Sequence, residues 1–501
     1  MRRRRYPVGR LRSALSHRHR PKVAIIGAGF GGLAAAVALR RNGIDDLVII
    51  EADDGVGGTW RRNTYPGAAC DIQSHLYSFS FAPNRSWSRT YAQQPEILAY
   101  LESVTDAMDL RRHLMLGTRL REARWNAGTA RWELLLDRGG ESTWMTADVL
   151  VSAVGLFGAP KPPDIPGLTE FDGPIMHTAQ WDPRVELRGK RVAVIGTGAS
   201  GVQVVPELAK VAGTVTVFQR TPPWMVPKDD RPYSASELAR FRRNPLAAKW
   251  TRWQIWKFQH DFTANRADDP MVAARTRVAT DFLERTVADE TLRGALTPGY
   301  PFRCKRVLLG DDYYRALQRD NVRLVTEPIA GVSAGAVTTS AGTVVDADVI
   351  VLATGFETAD YLSGIDVIGA GGRHLHEHWG DDPSAYLGAA VSGFPNFFML
   401  YGPNTNQGGN SIVYILEAGA RLVADAVTRI ARRGGSLDVR PEAERRYNER
   451  LSADLDETIW TQCDSYFRSP SGRIVTQWPY TELEYARRTR RLRRRDWVHQ
   501  L

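Results

Sequence analysis

Two glycine-rich segments have the spacing of loops that bind the pyrophosphate group of a dinucleotide. The GxGxxG positions are Gly27, Gly29 and Gly32 in the first segment, and Gly196, Gly198 and Gly201, with Ser200, in the second. In such a loop the first glycine allows a tight turn, the second lets backbone amides approach the phosphates, and the third lets a helix pack on a strand. Two such loops in one chain indicate two nucleotide cofactors and hence redox chemistry.

Each loop lies inside a predicted strand-helix-strand unit. The predicted strands are Val23–Ile26 and Leu47–Ile50 around the first loop, and Arg191–Ile195 and Thr214–Phe218 around the second. Apolar runs of this length are typical of buried parallel strands. A bare GxGxxG match is weak, so the flanking elements are what favour two Rossmann units over two structural glycine turns.

The residues predicted to end the two units carry opposite charges. Glu51 lies 24 positions after Gly27, and Arg220 lies 24 positions after Gly196, so we expect them at equivalent ends of equivalent strands. A carboxylate accepts hydrogen bonds from ribose hydroxyls and repels a 2′-phosphate, whereas a guanidinium attracts that phosphate. The sequence predicts FAD in the first unit and NADPH in the second. The alternative for Arg220 is an ordinary surface cation.

A repeated strand pattern marks the joints between the two units. Residues 147–155 and 347–355 are similar apolar stretches, each ending in a glycine where the chain can turn. We therefore predict an α/β protein in which an NADPH-binding domain is inserted in a discontinuous FAD-binding domain. The predicted bounds are 1–21 for a basic, disordered leader, 22–156 and 346–501 for the FAD-binding domain, and 157–345 for the NADPH-binding domain.

A helical insertion is predicted at about residues 224–300. Trp250, Trp253 and Trp256 recur there at intervals of three. An aromatic stripe with that spacing is typical of a helix face packed in a core, and a membrane contact is the alternative. Because insertions beside a cofactor cleft often line it, the segment is also a candidate wall of the substrate cavity.

Two longer motifs resemble those of one enzyme family. The segment Phe171–Asp182 matches the FxGxxxHxxxW[PD] motif of type I Baeyer-Villiger monooxygenases, with Phe171, Gly173, His177 and Trp181 at the specified positions. The segment Gly57–Asp71, which contains Gly58, Thr59 and Trp60, resembles the second motif of this family. The resemblance extends over nearly the whole chain beyond the basic leader and includes Ala353-Thr-Gly355 and Gly402-Pro-Asn404.

The resemblance implies that the chain uses FAD, NADPH and O2 to insert one oxygen atom next to a ketone carbonyl, giving an ester or a lactone through a C4a-peroxyflavin. By the same resemblance, Arg306 stabilises the peroxide anion and Asp71 orients Arg306. Both are also implied to contact cofactor, and Lys305 is implied to join Arg220 at the 2′-phosphate. Without the family, Arg306 would be read as a surface arginine.

Two other functions remain as alternatives. A flavin-containing N- or S-monooxygenase uses the same cofactors, but such enzymes typically carry Phe or Tyr where this chain has Trp181. A non-catalytic flavoprotein whose arginine-rich tails contact nucleic acid is the second alternative.

The histidines are not expected to act as bases or metal ligands. His177 lies on the predicted linker between the domains, where a hydrogen-bonding role in positioning them is the better interpretation. His374, His376 and His378 alternate, as three ligands on one strand face would, but no other ligand set accompanies them. We predict a solvated loop there and no metal.

Charge and cysteine content bound the partners. The net charge is +10, yet residues 1–22 carry eight Arg and one Lys and residues 487–496 carry seven Arg, so the rest of the chain is mildly acidic, at −5. Disordered or solvated tails explain this better than a nucleic-acid groove, and no nucleic-acid partner is expected. The three cysteines form no close pair, so neither a dithiol centre nor a disulfide framework is predicted, and a reducing cytoplasm fits.

The uncharged run Val23–Leu39 imitates a membrane span, but its glycines fit a nucleotide loop, so no transmembrane segment is predicted. The expected partners are a small ketone and O2, and the expected state is a monomer or weak dimer.

The chain departs from well-known family members at two places. It has Arg61 and Arg62 where they often carry Tyr-Trp, and Tyr466 where they tend to place Trp in a late mobile loop. These differences leave the choice of ketone open. They do not remove Asp71, Arg306 or His177, so we expect the oxygenation chemistry to be kept.

Overall fold

The computed structural model describes residues 19–261 and 266–501, so all but the last few residues of the predicted basic leader lie outside the described part. The strands are β1 Val23–Ile26, β2 Leu47–Ile50, β3 Leu114–Met115, β4 Thr118–Asn126, β5 Arg131–Arg138, β6 Glu141–Ala147, β7 Val149–Ser152, β8 Ile175–His177, β9 Arg191–Ile195, β10 Thr214–Phe218, β11 Met225–Val226, β12 Leu308–Leu309, β13 Val322–Val325, β14 Ile329–Ser333, β15 Ala336–Thr339, β16 Val344–Asp346, β17 Val349–Leu352, β18 Asp366–Ile368, β19 Phe397–Met399, β20 Ser436–Val439 and β21 Trp497–Gln500.

The helices are α1 Phe30–Arg41, α2 Thr59–Arg62, α3 Gln94–Ala107, α4 Ala199–Val211, α5 Ala235–Arg243, α6 Pro245–Asp261, α7 Pro270–Thr286, α8 Glu290–Ala295, α9 Tyr313–Ala316, α10 Leu375–Trp379, α11 Ile412–Arg433, α12 Pro441–Asp456 and α13 Glu482–Arg488.

A first parallel sheet has the strand order β19-β7-β1-β2-β3. All four residues of β1 and of β7 are buried, because α1 and α11 on one side and the β4–β6 sheet on the other cover the two faces. The first glycine loop follows β1 directly. The edge strand β19 comes from residues 397–399, about 250 positions after β7, so C-terminal residues complete this sheet.

A second parallel sheet has the strand order β13-β10-β9-β17-β8 and carries the second glycine loop after β9. The strand β17 pairs with β9 and β8, which places Val349–Leu352 in this second sheet. The predicted domain boundary at residue 346 is therefore too early, because the chain leaves the second sheet only after β17, near Gly355. The apolar repeat at 347–355 correctly predicted a strand there, which is β17.

The insertion between β10 and β12 is helical, as predicted, and consists of α5 to α8. Its aromatic stripe is not core. Trp250 is 58% exposed and Trp253 is 45% exposed, while Trp256 is partly buried against the first core. The spacing of three put these rings on one helix face, but that face has no neighbouring element among the described residues to cover all of it.

The arginine-rich C-terminal segment is ordered rather than disordered. Residues 482–488 form α13 and residues 497–500 form β21, which pairs with β20. Asp496, 3% exposed, accepts a hydrogen bond from the Tyr386 hydroxyl, and Leu492 is buried. The exposed side chains of Arg490, Arg491 and Arg493 fit the solvated interpretation on a folded segment.

Cys304 and Cys463 form a disulfide, although 159 positions separate them. The prediction that the cysteines have no disulfide is therefore wrong; sequence spacing could not detect two segments that the fold brings together. Cys70 is buried and free. In the described part of the chain, every helix is too short or too polar to cross a bilayer. The run that imitated a membrane span is β1 followed by α1.

Candidate functional site

The first glycine loop has the backbone geometry that a dinucleotide loop needs. Gly27 has φ +104°, and a Cβ there would lie 2.6 Å from the carbonyl oxygen of Ala153. A Cβ on Gly32 would lie 1.9 Å from the Gly27 carbonyl oxygen, so α1 packs on β1 only with glycine at that position. Gly29 has only the Gly58 backbone within 4 Å. The N-terminus of α1 therefore opens onto free space, where a phosphate could approach.

The second loop repeats this geometry. Gly196 has φ +106°, and its Cβ would lie 2.5 Å from the carbonyl oxygen of Ala353. A Cβ on Gly201 would lie 2.4 Å from the Gly196 carbonyl oxygen, whereas Gly198 has no atom within 4 Å. The half-buried Ser200 lies in the first turn of α4. Both loops are thus closed toward their own sheets and open at the helix N-termini.

The strand register corrects one detail of the comparison between the units. β1 and β2 pair with an offset of 24 residues, whereas β9 and β10 pair with an offset of 23. The equivalent of Glu51 is therefore Gln219, and Arg220 follows one position later. Glu51 and Gln219 are both buried, and Arg220 is exposed. The second unit thus lacks a carboxylate at the ribose position and has a cation beside it.

The carboxylate of Glu51 is fixed at the end of β2. Its two oxygens accept hydrogen bonds from the backbone N–H groups of Ala28 at 2.6 Å and Asp53 at 2.9 Å. An ionised carboxylate has further lone pairs, and it can only accept hydrogen bonds. The group is therefore held in one orientation with accepting capacity left for hydroxyls.

Lys305 lies close enough to Arg220 for the two charges to interact. Burial lowers the pKa of Lys305, and the Arg220 charge lowers it further, while Asp464 opposes both effects. The Lys305 ammonium also lies 5.0 Å from the ring centre of Tyr300. Two cations held together in this way favour an anionic ligand, because an anion between them relieves their repulsion.

Asp71 and Arg306, which are 235 positions apart in the sequence, form a hydrogen-bonded ion pair. Burial opposes ionisation of Asp71, yet the Arg306 charge and hydrogen bond hold its pKa below the usual value. The Asp71 charge in turn raises the pKa of Arg306. The guanidinium is thus charged at every physiological pH. Only one of its nitrogens is bound to Asp71, so others can face a reactant.

Two tyrosines complete the surroundings of this ion pair. Tyr401 and Tyr466 both lie within electrostatic range of Arg306, and burial raises the pKa of both hydroxyls, so both phenols are neutral. Tyr401 donates a hydrogen bond to Asn406 at 2.7 Å. Tyr466 remains 43% exposed, so it lies at the border between the ion pair and solvent.

The segment Gly57–Asp71 contacts both nucleotide units. At its start, a Cβ on Gly58 would lie 3.1 Å from the Cα of Gly29. Further along, the Tyr65 hydroxyl donates to the side-chain oxygen of Gln203 on α4 at 2.8 Å. Thr59 and Trp60 begin α2, and the Trp60 indole donates to Tyr77 at 3.1 Å. Asp71, at the end of this segment, therefore sits on the connection between the two glycine loops.

The two arginines that depart from the family pattern are neutralised by neighbouring acids. Arg61 pairs with Glu102 at 2.7 Å and with Asp54 at 3.1 Å. Arg62 pairs with Asp53 at 2.7 Å. Their charges are therefore bound within the first unit, and neither forms a bond with Asp71.

His177 ends β8 beside β17 and is buried. Its Nδ1 accepts a hydrogen bond from the Ala179 N–H at 3.1 Å, and burial lowers its pKa. A neutral imidazole that is bound to its own backbone is suited to fix a chain direction rather than to abstract protons. Phe171 is buried, Gly173 has the Asp348 carbonyl oxygen 2.4 Å from its would-be Cβ, and Trp181 packs on the second core.

The alternating histidines lie on the short helix α10 and its N-terminal cap, not on the loop that we expected. His374 pairs with Asp366 at 2.9 Å, and His376 contacts the Tyr361 carbonyl oxygen at 2.9 Å. Over the described ranges, no three His, Cys, Asp or Glu side chains are grouped so that they could hold a metal ion.

Comparison with known proteins shows which family has this arrangement. A family model described as pyridine nucleotide-disulphide oxidoreductase matches residues 24–252. A Baeyer-Villiger monooxygenase of Streptomyces coelicolor is 42% identical over 95% of this chain and 92% of its own length. This chain belongs to the Baeyer-Villiger monooxygenase family. The structure of OTEMO in complex with FAD and NADP has a TM-score of 0.83 and 30% identity over 94% of this chain and 97% of its own.

A second solved structure, cyclohexanone monooxygenase from Rhodococcus sp. Phi1 bound to NADP+, has a TM-score of 0.84 and 31% identity over 96% of this chain and 99% of its own. These similarities confirm the predicted α/β class with two Rossmann-type units for this Baeyer-Villiger monooxygenase.

The sequence patterns of this Baeyer-Villiger monooxygenase did not predict two residues that lie near the ion pair or on the segment that carries Asp71. Tyr401 contributes to the surroundings of Arg306, and Gln203 joins α4 to Tyr65. Gln203 lies on α4 two positions after Gly201, so its closeness to the second glycine loop could have been noticed in the sequence. Tyr401 carries no motif signal except that it directly precedes the Gly402-Pro-Asn404 segment.

Proposed function

We propose that this protein is an FAD- and NADPH-dependent enzyme that inserts one oxygen atom from O2 next to a ketone carbonyl and so forms an ester or a lactone. The observation that carries this proposal is the Asp71–Arg306 ion pair, in which Asp71 belongs to a segment that contacts both nucleotide units. The reaction consumes the ketone, O2, NADPH and a proton, and it gives the ester, NADP+ and water.

The first unit fits FAD. The open N-terminus of α1 suits a pyrophosphate, and the fixed carboxylate of Glu51 suits ribose hydroxyls. The residues that we assign to FAD are Gly27, Gly29, Gly32, Glu51, Gly58, Thr59, Trp60 and Asp71. When bound, FAD supplies the redox chemistry that links NADPH to O2.

The second unit fits NADPH. The open space at Gly198 admits a pyrophosphate, and the paired cations Arg220 and Lys305 suit a 2′-phosphate. The absence of a carboxylate at Gln219 removes the repulsion that would exclude this phosphate. The residues that we assign to NADPH are Gly196, Gly198, Ser200, Gly201, Arg220, Lys305 and Arg306.

Arg306 has the charge and freedom needed to stabilise negative charge on a reacting oxygen. Asp71 holds one guanidinium nitrogen, which fixes the plane of the group and leaves its other N–H donors available. Phe171, Gly173, His177 and Trp181 are proposed to set the path of the chain between the two units, not to transfer protons.

A small ketone and O2 are the proposed partners, and a monomer or weak dimer is the proposed state. A cytoplasmic location is also part of the proposal.

Oxidation of a ketone and a thioether in competition tests the proposed reaction. The purified, FAD-loaded protein receives NADPH, isotopically labelled oxygen gas, and equal amounts of a ketone and a thioether. We expect an ester that carries one labelled atom, formed in preference to sulfoxide. Sulfoxide as the sole labelled product would instead establish the N- or S-monooxygenase alternative, and consumption of NADPH with no labelled product would contradict both.

A further inference from the structure

The helix α6 exposes a group of large apolar side chains. Leu246 is 71% exposed, Trp250 is 58% exposed, Trp253 is 45% exposed and Phe258 is 51% exposed. The rings of Trp250 and Trp253 stack on each other with centres 4.8 Å apart. Leu246, Trp250 and Trp253 recur at intervals of three or four positions on one side of the helix, and we call these three residues the aromatic face. Phe258 lies on another side of α6, where the Arg275 guanidinium is over its ring. Exposed apolar groups scattered singly are ordinary, but a contiguous set on one helix usually marks an interaction surface.

Positive charge surrounds the aromatic face. Residues 238–260 contain six Lys and Arg and no Asp or Glu, in a chain whose body outside the two arginine-rich ends has a net charge of −5. Arg242 and Arg243, at the end of α5, are exposed, and Lys249 is exposed beside Trp250. The local charge is therefore opposite to that of the body, and it coincides with the aromatic face.

A groove of about 310 Å³ adjoins the aromatic face. Its lining residues are Leu76, Ser80, Lys249, Arg252, Trp253, Trp256, Tyr414, Glu417 and Arg421. Arg252 donates to the carbonyl oxygens of His75, Leu76 and Ser78, so its charge is fixed in the wall.

The carboxylate in this groove is already engaged, because Glu417 accepts a hydrogen bond from the Ser80 N–H at 2.7 Å. Within residues 19–261 and 266–501, Lys249 and Arg421 make no ion pair, and both are exposed. The groove therefore presents cations with hydrogen-bonding capacity to spare next to exposed indole rings.

We propose that the aromatic face, with Arg242, Arg243, Lys249 and Arg421 around it, binds the surface of an anionic phospholipid membrane. Tryptophan is favoured at the boundary between headgroups and acyl chains, where its apolar ring and N–H group are both accommodated. Lysine and arginine beside it are attracted to anionic headgroups. This surface goes beyond the oxygenation reaction and involves none of the residues assigned to FAD or NADPH.

Charge argues against a second copy of the chain as the occupant. A twofold interface would place the same patch on both partners, so its cations would face each other. Like charges brought together in this way repel, whereas an anionic bilayer neutralises them. Single-stranded nucleic acid shares the anionic and stacking chemistry, and it is an outcome of the test below.

Co-sedimentation with vesicles tests the proposal on the full-length holoenzyme. Vesicles of phosphatidylcholine alone are compared with vesicles that also contain phosphatidylglycerol, at low and at high salt. We expect binding to the anionic vesicles that weakens with salt, and little binding to the neutral ones. The variant W250A/W253A should bind more than about tenfold more weakly, since burial of two exposed indoles is lost. The variant R242Q/R243Q should bind about 30-fold more weakly.

The variant W144A is the matched control, because Trp144 is also a tryptophan with an exposed side chain, 55% exposed, but it lies on the strand β6 and not on α6. It should bind like wild type. Residues 1–22 are unchanged in every variant, so the basic leader cannot account for a difference between them. Each variant should keep the wild-type melting temperature and the wild-type turnover of a water-dissolved ketone.

Vesicles with brominated acyl chains provide a second readout, because bromine quenches tryptophan that enters the bilayer. Quenching should be strong for wild type and W144A, and weak for W250A/W253A. Equal binding of all variants, wild-type binding to neutral vesicles alone, or no binding to anionic vesicles at low salt would overturn the proposal. So would a concentration-dependent dimer, or a tighter complex with a single-stranded oligonucleotide, that is lost in W250A/W253A.

Discussion

Replacement of Arg220 or Lys305 by glutamine should reduce the preference for NADPH over NADH. A hydrogen bond to a charged group contributes about 1.5–3 kcal/mol. Arg220 is exposed, so we take the lower end, which corresponds to about a tenfold loss of kcat/KM for NADPH. Burial and the Arg220 charge both act on Lys305, so we place K305Q nearer the middle, at about 30-fold. The kcat/KM for NADH should change less than about twofold, because NADH lacks the 2′-phosphate.

Steady-state oxidation of both coenzymes by wild type, R220Q, K305Q and the double variant measures these ratios. The double variant should lose less than the product of the single effects, since each cation destabilises the other when no anion is bound. R323Q is the matched control, because Arg323 is an exposed arginine on the neighbouring strand β13. If kcat/KM falls by the same factor for NADPH and for NADH, the two cations support the fold and do not recognise the phosphate.

Two further changes test stability. Burial raises the pKa of Glu444 from 4.5 to about 7, so the folded protein loses about 3 kcal/mol of stability as pH rises from about 4.5 through 7. The variant E444Q should therefore melt at a higher temperature than wild type at pH about 8, and at nearly the same temperature at pH about 5. An equal gain in melting temperature at both pH values would contradict this explanation. The Cys304–Cys463 disulfide spans 159 positions, and closing a loop of that length stabilises the fold by up to about 5 kcal/mol. A reducing agent should accordingly lower the melting temperature of wild type but leave C463S unchanged, whereas an unchanged wild type would mean that the disulfide does not form.

Local patterns predicted the nucleotide units well, because each βαβ unit is specified by neighbouring residues. The four strands around the glycine loops have the bounds that the apolar runs predicted, and the loops have the required positive φ at Gly27 and Gly196. The predicted counterpart of Glu51 was wrong by one position. Equal sequence separations indicated Arg220, but the strand register shows that Gln219 is the equivalent residue. Register depends on how strands pair, which spacing does not encode.

Features that join distant segments could not be predicted from local patterns. The disulfide joins the residue before Lys305 to the loop that carries Tyr466, and neither segment resembles the other. The aromatic stripe of α6 was misassigned for a related reason. Helical periodicity places Trp250 and Trp253 on one face, but whether another element covers that face depends on the tertiary fold. The ion pair itself was predicted only through the family resemblance.

The most direct test of the central role of Arg306 is a comparison of flavin reduction with product formation in R306A. Anaerobic stopped-flow spectroscopy measures flavin reduction by NADPH, and product analysis under air measures ester formation. R315A is the control, because Arg315 is an exposed arginine on the nearby helix α9. We expect R306A to keep flavin reduction at saturating NADPH, even if it binds NADPH more weakly, and to form no ester, since the positive charge that stabilises the reacting oxygen is missing. Ester formation by R306A at the wild-type rate would contradict the assignment.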